Sequence, residues 1–372
     1  MSTYLETLEA VASGVVAAHA VEVDQSGAFP RASINALRDA GLLGLISTKE
    51  VGGMGEGPRA AGLVIKRLAR ECGSTAMIMC MHYSATTVIE ACGSEALRKD
   101  NAAGKHLLTL AFSEAGSRSN FWAPVSTAAK HSDGVHLDAH KSWVTSANNA
   151  TAYVWSSTPV AAEGMSTIWF VPRDSPGLTS PPAFDGFGLR GNDSTPVVAK
   201  DVVVPEANML GEDGAGLGIM LKTVLPIFNV LTAACGIGIM DAATAATCVH
   251  ASGTKFEHLG SSLAELPTIR AYLARMRIAT DQVQCLWLDT LEAMENGRED
   301  VMLRVLESKA AVGESATYVL DTAMRVCGGA AFRKDVGVER WFRDARAGTV
   351  MAPTTDQLYD FIGKAMCGLP VF

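Results

Sequence analysis

The stretch TIWFV, at residues 167–171, lies in the middle of the chain and consists entirely of β-branched and aromatic residues. Similar runs occur at 153–155 (YVW) and at 202–204 (VVV), and residues of these types favour β-strands. Glycines and prolines lie between the runs and mark turns. Residues 109–215 are therefore predicted to form a small β-domain, either a barrel or a sandwich.

Helical patterns occupy the chain on both sides of this β-domain. Apolar residues recur at helical spacing over 1–108, and long periodic segments run over 217–251, 264–296 and 300–327. The predicted fold class is therefore α+β, with an N-terminal helical domain over 1–108, the central β-domain, and a C-terminal four-helix bundle over 216–372.

The composition excludes some classes of function. Of the 372 residues, 48% are hydrophobic and 19% are charged, which allows a large core and excludes a mainly disordered chain. The 31 basic and 39 acidic residues give a net charge of −8. Because nucleic acids and anionic membranes select basic surfaces, we expect neither of them as a partner.

Three further features predict a cytoplasmic protein without a membrane span. The N-terminus carries Glu6 instead of a basic region, so no export signal is expected. The eight cysteines form no CxxC pair and no zinc-site spacing, and we expect them to be reduced and buried. The uncharged run 223–240 reaches the lower length for a span, but it contains Pro226 and Asn229. A helix buried in the bundle is the better interpretation.

Seven short blocks follow one another along the chain. They are LLGL at 42–45 with EVGGMG at 50–55, LAFSEAGS at 110–117, HKSWVTSA at 140–147, GLRG at 188–191, DVVVP at 201–205 with LGEDG at 210–214, CGGAAF at 327–332, and ERWFRDAR at 339–346. In this order the blocks resemble the acyl-CoA dehydrogenase family of flavoproteins over the whole chain. The resemblance implies FAD as cofactor, an acyl-CoA or other small molecule as substrate, an electron-transfer protein or flavin reductase as redox partner, and a homodimer or homotetramer.

The resemblance also implies which residues hold the cofactor. Trp143 would lie against the isoalloxazine ring, and Thr145 would bond near the reactive nitrogen of that ring. Gly116 and Ser117 would let the backbone approach the pyrophosphate, and Gly328 would reach the cofactor of a neighbouring subunit. The full set of implied cofactor residues is Leu110, Phe112, Ser113, Gly116, Ser117, Trp143, Thr145, Arg325, Gly328, Gly329 and Thr354.

The chain departs from the family at the residue that removes the α-proton of the substrate. Counting forward from 343–346 (RDAR), Ala352 occupies the position of the usual catalytic glutamate. In the minority of members that carry the glutamate in the long helix after the β-domain, the same position falls on Phe228. Neither side chain can accept a proton. The family arginine that reaches the pyrophosphate across a dimer is also missing, and Arg325 is the candidate that supplies its charge.

Three functions follow from this departure. The nominal one is α,β-dehydrogenation of an acyl thioester with a relocated base. Asp356, placed one helical turn beyond Ala352, is the candidate for this base, and it must then be buried beside the flavin with a raised pKa; Glu114 is the other nearby acid. The second function is that of a flavin monooxygenase or oxidase on the same fold. The third is a flavoprotein that binds an acyl thioester without desaturating it.

Overall fold

The computed structural model describes residues 3–118 and 120–371, and its first part is helical. The N-terminal helices are α1 (Thr3–Val11), α2 (Ala17–Ser26), α3 (Arg31–Asp39), α4 (Pro58–Glu71), α5 (Gly73–Cys92) and α6 (Glu95–Ala102). A π-helical turn, Ala12–Val16, joins α1 to α2. Helix α5 is buried along most of its length, which makes it the central helix of this part.

The strands of the middle part form two sheets. They are β1 (Leu108–Ala111), β2 (Thr127–His131), β3 (Gly134–Val144), β4 (Ala152–Ser157), β5 (Thr167–Pro172), β6 (Leu178–Thr179) and β7 (Thr195–Val204). The sheet orders are β1-β4-β5 and β2-β3-β7-β6. Strands β1 and β4 are parallel, and the other neighbouring pairs in these sheets are antiparallel. The predicted β-domain is thus confirmed, in the form of two packed sheets.

The stretch TIWFV forms β5, and its two faces explain how the β-domain joins the helices. Trp169 and Val171 lie in the core between the two sheets. Ile168 points to the opposite face and packs in the core that is shared with the helices. Because the three-stranded sheet is covered on both faces, its strands carry apolar residues at successive positions rather than only at alternate ones. Strand β4 is buried at all of its positions for the same reason.

Helices return after the β-domain. They are α7 (Gly216–Ile219), α8 (Leu225–Gly253), α9 (Pro267–Asn296), α10 (Val301–Cys327), α11 (Val338–Ala345), α12 (Ala347–Val350) and α13 (Thr355–Met366). A π-helical turn, Met220–Val224, leads into α8, and a short hairpin of β8 (Lys255–Phe256) and β9 (Ser261–Ser262) separates α8 from α9. Helices α8, α9 and α10 pack on one another, and α13 packs on α10.

Helix α8 unites the two helical parts. It packs against α4 and α5 as well as against α9 and α10, so that one apolar core runs through both parts. Gly236 permits a close approach, since a Cβ at this position would lie 2.5 Å from Val312. The segment Gly216–Gly253 is long and apolar enough to cross a membrane, but 83% of its apolar window is buried within the chain. It is a core helix, as the sequence predicts.

The eight cysteines are all free, and their burial differs from the prediction. Four are buried as expected, but Cys285 and Cys367 are exposed, so the prediction of burial is wrong for these two. Cys285 lies on the outer face of α9, whose inner face carries Met276, Val283 and Trp287. Within the described ranges, no group of three or more His, Cys, Asp or Glu residues is arranged to hold a metal ion.

Candidate functional site

A cleft of about 520 Å³ lies where the β-domain meets the helices. The β-domain and the loop after β1 contribute Leu110, Phe112, Ser113, Phe121, Ser142 and Trp143; the helices contribute Met81, Val224, Leu225 and Phe228; and the segment before α13 contributes Ala352. Four of the predicted cofactor residues therefore line the same cleft as Phe228 and Ala352. The two positions at which the sequence lacks a catalytic glutamate face one site.

Trp143 reaches this cleft because of an irregularity in β3. The pairing of β3 with β7 changes register between Lys141 and Val144, and Trp143 has a φ of 54°. Such a backbone conformation is rare for a bulky residue, and it is a device by which a strand redirects a side chain. The indole packs on Phe184, with 4.6 Å between ring centroids, and remains 69% exposed. It thus offers an accessible aromatic surface to a flat ring.

A buried ion pair holds the loop that follows β1. Lys141 Nζ donates to the carboxylate of Glu114 and, at 2.6 Å, to the carbonyl oxygen of Ser156. Glu114 Oε2 accepts from the backbone N–H groups of Val125 at 2.7 Å and Ser126 at 2.9 Å. These four bonds tie Glu114 to Val125 and Ser126, and tie Lys141 of β3 to Glu114 and to β4. The pair therefore positions the predicted flavin loop.

The pKa values of this pair follow from burial and mutual attraction. Burial lowers the pKa of Lys141 to about 8, against the opposing attraction of Glu114. Burial by itself raises the pKa of Glu114, but the charge of Lys141 and the hydrogen bonds outweigh it, so that the pKa is lowered overall. Glu114 is therefore held as a bound carboxylate inside the β-domain. This geometry gives it a structural role rather than that of a base in the cleft.

Two residues that are predicted to contact the pyrophosphate and the ring edge of FAD, Ser117 and Thr145, have hydroxyl groups that are available to a ligand. The Oγ atom of Ser117 is buried and has no hydrogen-bond partner among the described residues. The hydroxyl of Thr145 lies near Ser194 Oγ, at the long distance of 3.4 Å. Gly116, next to Ser117, is exposed. A buried hydroxyl without a hydrogen-bond partner is energetically unfavourable. A phosphate oxygen of FAD could bond to Ser117, and an atom at the edge of the flavin ring could bond to Thr145. The residues present thus fit the predicted cofactor.

The other predicted cofactor residues lie away from the cleft. Arg325 is near the end of α10 and stacks on Tyr272, with 5.1 Å from its guanidinium carbon to the ring centroid. Gly328 and Gly329 follow α10 on the surface and have open space around them. Thr354 caps α13, since its hydroxyl accepts from the N–H of Gln357. For these four residues, as for the seven others, contact with FAD stays a prediction.

Three family models together match nearly the whole chain. They are the acyl-CoA dehydrogenase N-terminal domain at residues 2–102, the middle domain at 109–202 and the C-terminal domain at 214–367. The chain belongs to the acyl-CoA dehydrogenase family. The sequence predictions of this family, of an oxidoreductase and of FAD as its cofactor are thus confirmed at the level of the family.

Individual proteins of this family resemble the chain over most of its length. A probable acyl-CoA dehydrogenase of Bacillus subtilis (strain 168), YngJ, is 28% identical over 353 residues, which cover 92% of this chain and 91% of the relative. The butyryl-CoA dehydrogenase of Megasphaera elsdenii has the same fold, with a TM-score of 0.91, 22% identity and coverage of 99% and 98% of the two chains. A structure described as an FAD-dependent dehydrogenase gives a TM-score of 0.85 at 22% identity, with coverage of 100% and 99%.

Asp356 does not occupy the place that a base of this acyl-CoA dehydrogenase fold requires. It lies in the first turn of α13, its side chain is exposed, and it does not line the cleft. The predicted burial of Asp356 is therefore wrong. The assumed helical turn from Ala352 does not exist, because α13 begins only at Thr355. Its inner face carries Thr355, Leu358 and Phe361, and Asp356 falls between them on the outside.

Lys309 is the charged residue near the cleft that the sequence analysis missed. Its Nζ donates to the carbonyl oxygens of Met351 at 2.8 Å and Pro353 at 2.5 Å, on either side of Ala352. It also lies 5.5 Å from the ring centroid of Phe228. Lys309 is 2% exposed, and burial lowers its pKa to about 7.

A sequence signal for Lys309 exists. The buried residues Val305, Val312 and Ala316 recur at helical spacing along α10, and Lys309 falls on the same face. A lysine on an apolar face is rarely buried without a partner. In the part of the chain that the structure describes, Lys309 forms no ion pair with a carboxylate.

Proposed function

We propose that this protein is an FAD-dependent oxidoreductase that binds an acyl thioester in the cleft between the β-domain and α8. The observation that carries the proposal is the composition of this cleft. Its β-domain side presents Trp143, Phe112 and Ser113, the predicted flavin residues, and its helical side presents Phe228 and Ala352, the two positions at which the family places its base. A cofactor side and a substrate side thus face each other across one site.

Different residues of the site are proposed to bind FAD and the acyl chain. Trp143 and Phe112 supply aromatic surface for the flavin ring. Ser117, whose hydroxyl has no partner in the described part of the chain, is proposed for the pyrophosphate. When bound, FAD supplies the ability to accept a hydride from a carbon of the substrate. Met81, Leu225 and Phe228 offer the apolar surface against which an acyl chain packs and from which water is excluded.

The cleft supports α,β-dehydrogenation only in part. Desaturation needs a group that takes the α-proton, and the described residues that line the cleft include no carboxylate. This observation favours a second candidate, a monooxygenase or oxidase that uses reduced flavin and oxygen. Such a reaction requires no α-proton base, and the apolar side chains of Ala352 and Phe228 suit a pocket that protects a reactive flavin.

Flavin absorbance distinguishes these functions. The purified, FAD-loaded protein is mixed anaerobically with a panel of saturated acyl-CoAs. Bleaching by an acyl-CoA supports dehydrogenation. Bleaching only by a reductase system, followed by oxygen-dependent product formation, supports the monooxygenase. If a ligand binds and neither reaction occurs, the protein is a binding flavoprotein. A protein that takes up no FAD contradicts the proposal as a whole.

Position 352 provides a gain-of-function test. Ala352→Glu places a carboxylate on the wall of the cleft, and we expect it to create or enhance flavin bleaching by a saturated acyl-CoA. Ala352→Gln is the matched control, because it has the same size and hydrogen-bonding reach but cannot act as a base. If both variants are equally inactive with every thioester while still binding FAD, the monooxygenase becomes the preferred function.

Assembly and redox partners belong to the same proposal. Gly328 and Gly329 are exposed, and Phe332 next to them is 82% exposed. These features support the predicted homodimer or homotetramer, in which this surface reaches the cofactor site of a second subunit. Light scattering of the FAD-loaded protein tests it, and a monomer that retains FAD contradicts it. An electron-transfer protein or a flavin reductase is the proposed redox partner.

A further inference from the structure

We propose that Lys309 is a positioning residue of the cleft, which fixes residues 351–353 so that Ala352 faces the bound acyl group. This inference rests on the proposed function, because it takes the cleft to be the acyl site. The ammonium group joins a rigid helix of the core, α10, to a segment without regular structure between α12 and α13.

The two hydrogen bonds of Lys309 determine the path of this segment. Met351 and Pro353 are two residues apart, and their carbonyl oxygens converge on one nitrogen atom. The segment therefore bends around Lys309, and the residue between the two carbonyls, Ala352, is turned to the cleft. Bonds from an ionised donor are stronger than neutral ones, so the bend is held firmly while the amine is protonated.

Lys309 acts on the opposite wall as well. Its ammonium lies 5.5 Å from the ring centroid of Phe228, within the range of a cation–π contact. Phe228 lines the cleft from α8. One buried charge therefore contacts the wall on both sides of the site, through the neighbours of Ala352 and through Phe228. A purely structural contact between α10 and the segment is made at lower cost by an uncharged side chain, since burying an ammonium is unfavourable.

The other titratable groups near Lys309 have pKa values different from that of Lys309. Lys309 and Asp344 of α11 both line a second cavity, inside the helical part and separate from the cleft, and burial raises the pKa of Asp344 to about 6. Cys80 of α5 and Cys235 of α8 are the nearby thiols, and burial raises the pKa of both, so they stay protonated at neutral pH. Among these neighbouring groups, Lys309 is accordingly the one whose charge changes between pH 6.5 and 8.5. Lys141, in the β-domain, also changes its charge in this range, but it is present in the parent and in every Lys309 variant, so it cancels when their pH profiles are compared. Ligand affinity should fall as pH rises through about 7, because the neutral amine is the weaker donor.

The test measures binding of butanoyl-CoA to the FAD-loaded protein by calorimetry at pH 6.5, 7.5 and 8.5. Lys309→Met removes both hydrogen bonds and the charge, and we expect affinity to fall by roughly tenfold or more at pH 6.5 and to lose the part of its pH dependence that lies near pH 7. Lys309→Gln keeps an uncharged N–H donor group, and we expect an intermediate affinity that also lacks the pH dependence near pH 7. Lys364→Met, which removes a half-buried lysine of α13 that pairs with Asp360 outside the cleft, is the control and should match the parent.

The outcomes distinguish failure of the inference about Lys309 from failure of the proposed function. If the Met variant melts near the parent and keeps the affinity and pH profile of the parent, the inference is overturned; if it does not fold, the Gln variant decides by its pH profile. Hydrogen exchange of a peptide that spans 350–358 gives a reading without any ligand. Lys309→Met or Lys309→Gln should increase this exchange, and unchanged exchange overturns the inference. A parent protein that binds neither FAD nor butanoyl-CoA contradicts the proposed function, while the exchange still tests Lys309.

Discussion

Two buried lysines, one on each side of the cleft, have different surroundings. Lys141 of β3 is paired with the carboxylate of Glu114 and is surrounded by serine oxygens. Lys309 of α10 contacts two carbonyl oxygens and an aromatic ring. Burial lowers the pKa of both, to about 8 for Lys141 and to about 7 for Lys309. The larger shift belongs to the lysine that lacks a counter-ion.

The comparison separates two sides of the site. On the proposed flavin side, the charges of Lys141 and Glu114 balance, and Glu114 also holds the backbone of Val125 and Ser126. On the substrate side, the carboxylate that the family places in the cleft wall is absent, and a single positive charge remains behind Ala352. A buried pair is expensive to break, whereas an unpaired buried charge is expensive to keep. Removal of the two lysines should therefore have different consequences.

The largest effect is expected for Lys141→Met. This change leaves the Glu114 carboxylate buried without its partner, and it should lower the free energy of unfolding by about 3–5 kcal/mol. Urea unfolding followed by circular dichroism measures the loss. The double variant Lys141→Met/Glu114→Gln removes the stranded charge and should recover a large part of the stability. A double variant no more stable than the single one contradicts the ion-pair explanation.

The next effect concerns the pH dependence of stability at Lys309. Folding lowers the pKa of this lysine from 10.5 to about 7, so above pH 7 the unfolded chain binds a proton that the folded chain does not. Stability contributed at this site therefore rises as pH increases from about 7 towards 10. The melting temperature of the parent should rise relative to that of Lys309→Met between pH 7 and pH 9. At pH 7, Lys309→Met should lower the free energy of unfolding by less than Lys141→Met does. A constant difference between pH 7 and 9 contradicts the lowered pKa.

A smaller effect is expected on the flavin side for Thr145→Val. The change removes one hydroxyl at nearly constant volume, and it should weaken FAD binding by about 1 kcal/mol, or roughly fivefold. Fluorescence titration of the apoprotein with FAD measures the change. Thr127→Val, at an exposed position of β2, is the matched control. If Thr145→Val and Trp143→Ala both retain FAD with the absorbance spectrum of the parent, the flavin site is assigned wrongly.

The smallest effect is expected for Asp356→Asn. Because Asp356 is exposed and outside the cleft, its neutralisation should change the rate of flavin reduction by less than about twofold. Stopped-flow absorbance with the most active acyl-CoA measures this rate. A fall by several orders of magnitude is the result that returns the role of general base to Asp356.

Much of the fold is determined by local sequence. The run TIWFV is a strand because its residues fit a pleated surface, and its lack of alternation already indicates a strand covered on both faces. The helices follow from apolar residues at a spacing of three to four. The block around Trp143 indicates the flavin side, and the substitution of Ala352 for glutamate is visible in the sequence alone.

Only the tertiary structure decided how these parts combine. The sequence predicts a base at Asp356 by counting one helical turn, but the chain between 351 and 354 is not helical, so Asp356 points outward. Lys309 and Met351 are 42 residues apart, and no local pattern shows that they meet. Local propensity acts over a few residues, whereas the charge balance of a buried site depends on which distant groups exclude water from it. The sequence thus determines that the catalytic glutamate is missing at position 352. The packing of α8, α10 and the segment before α13 determines that the charge of Lys309 lies next to this position.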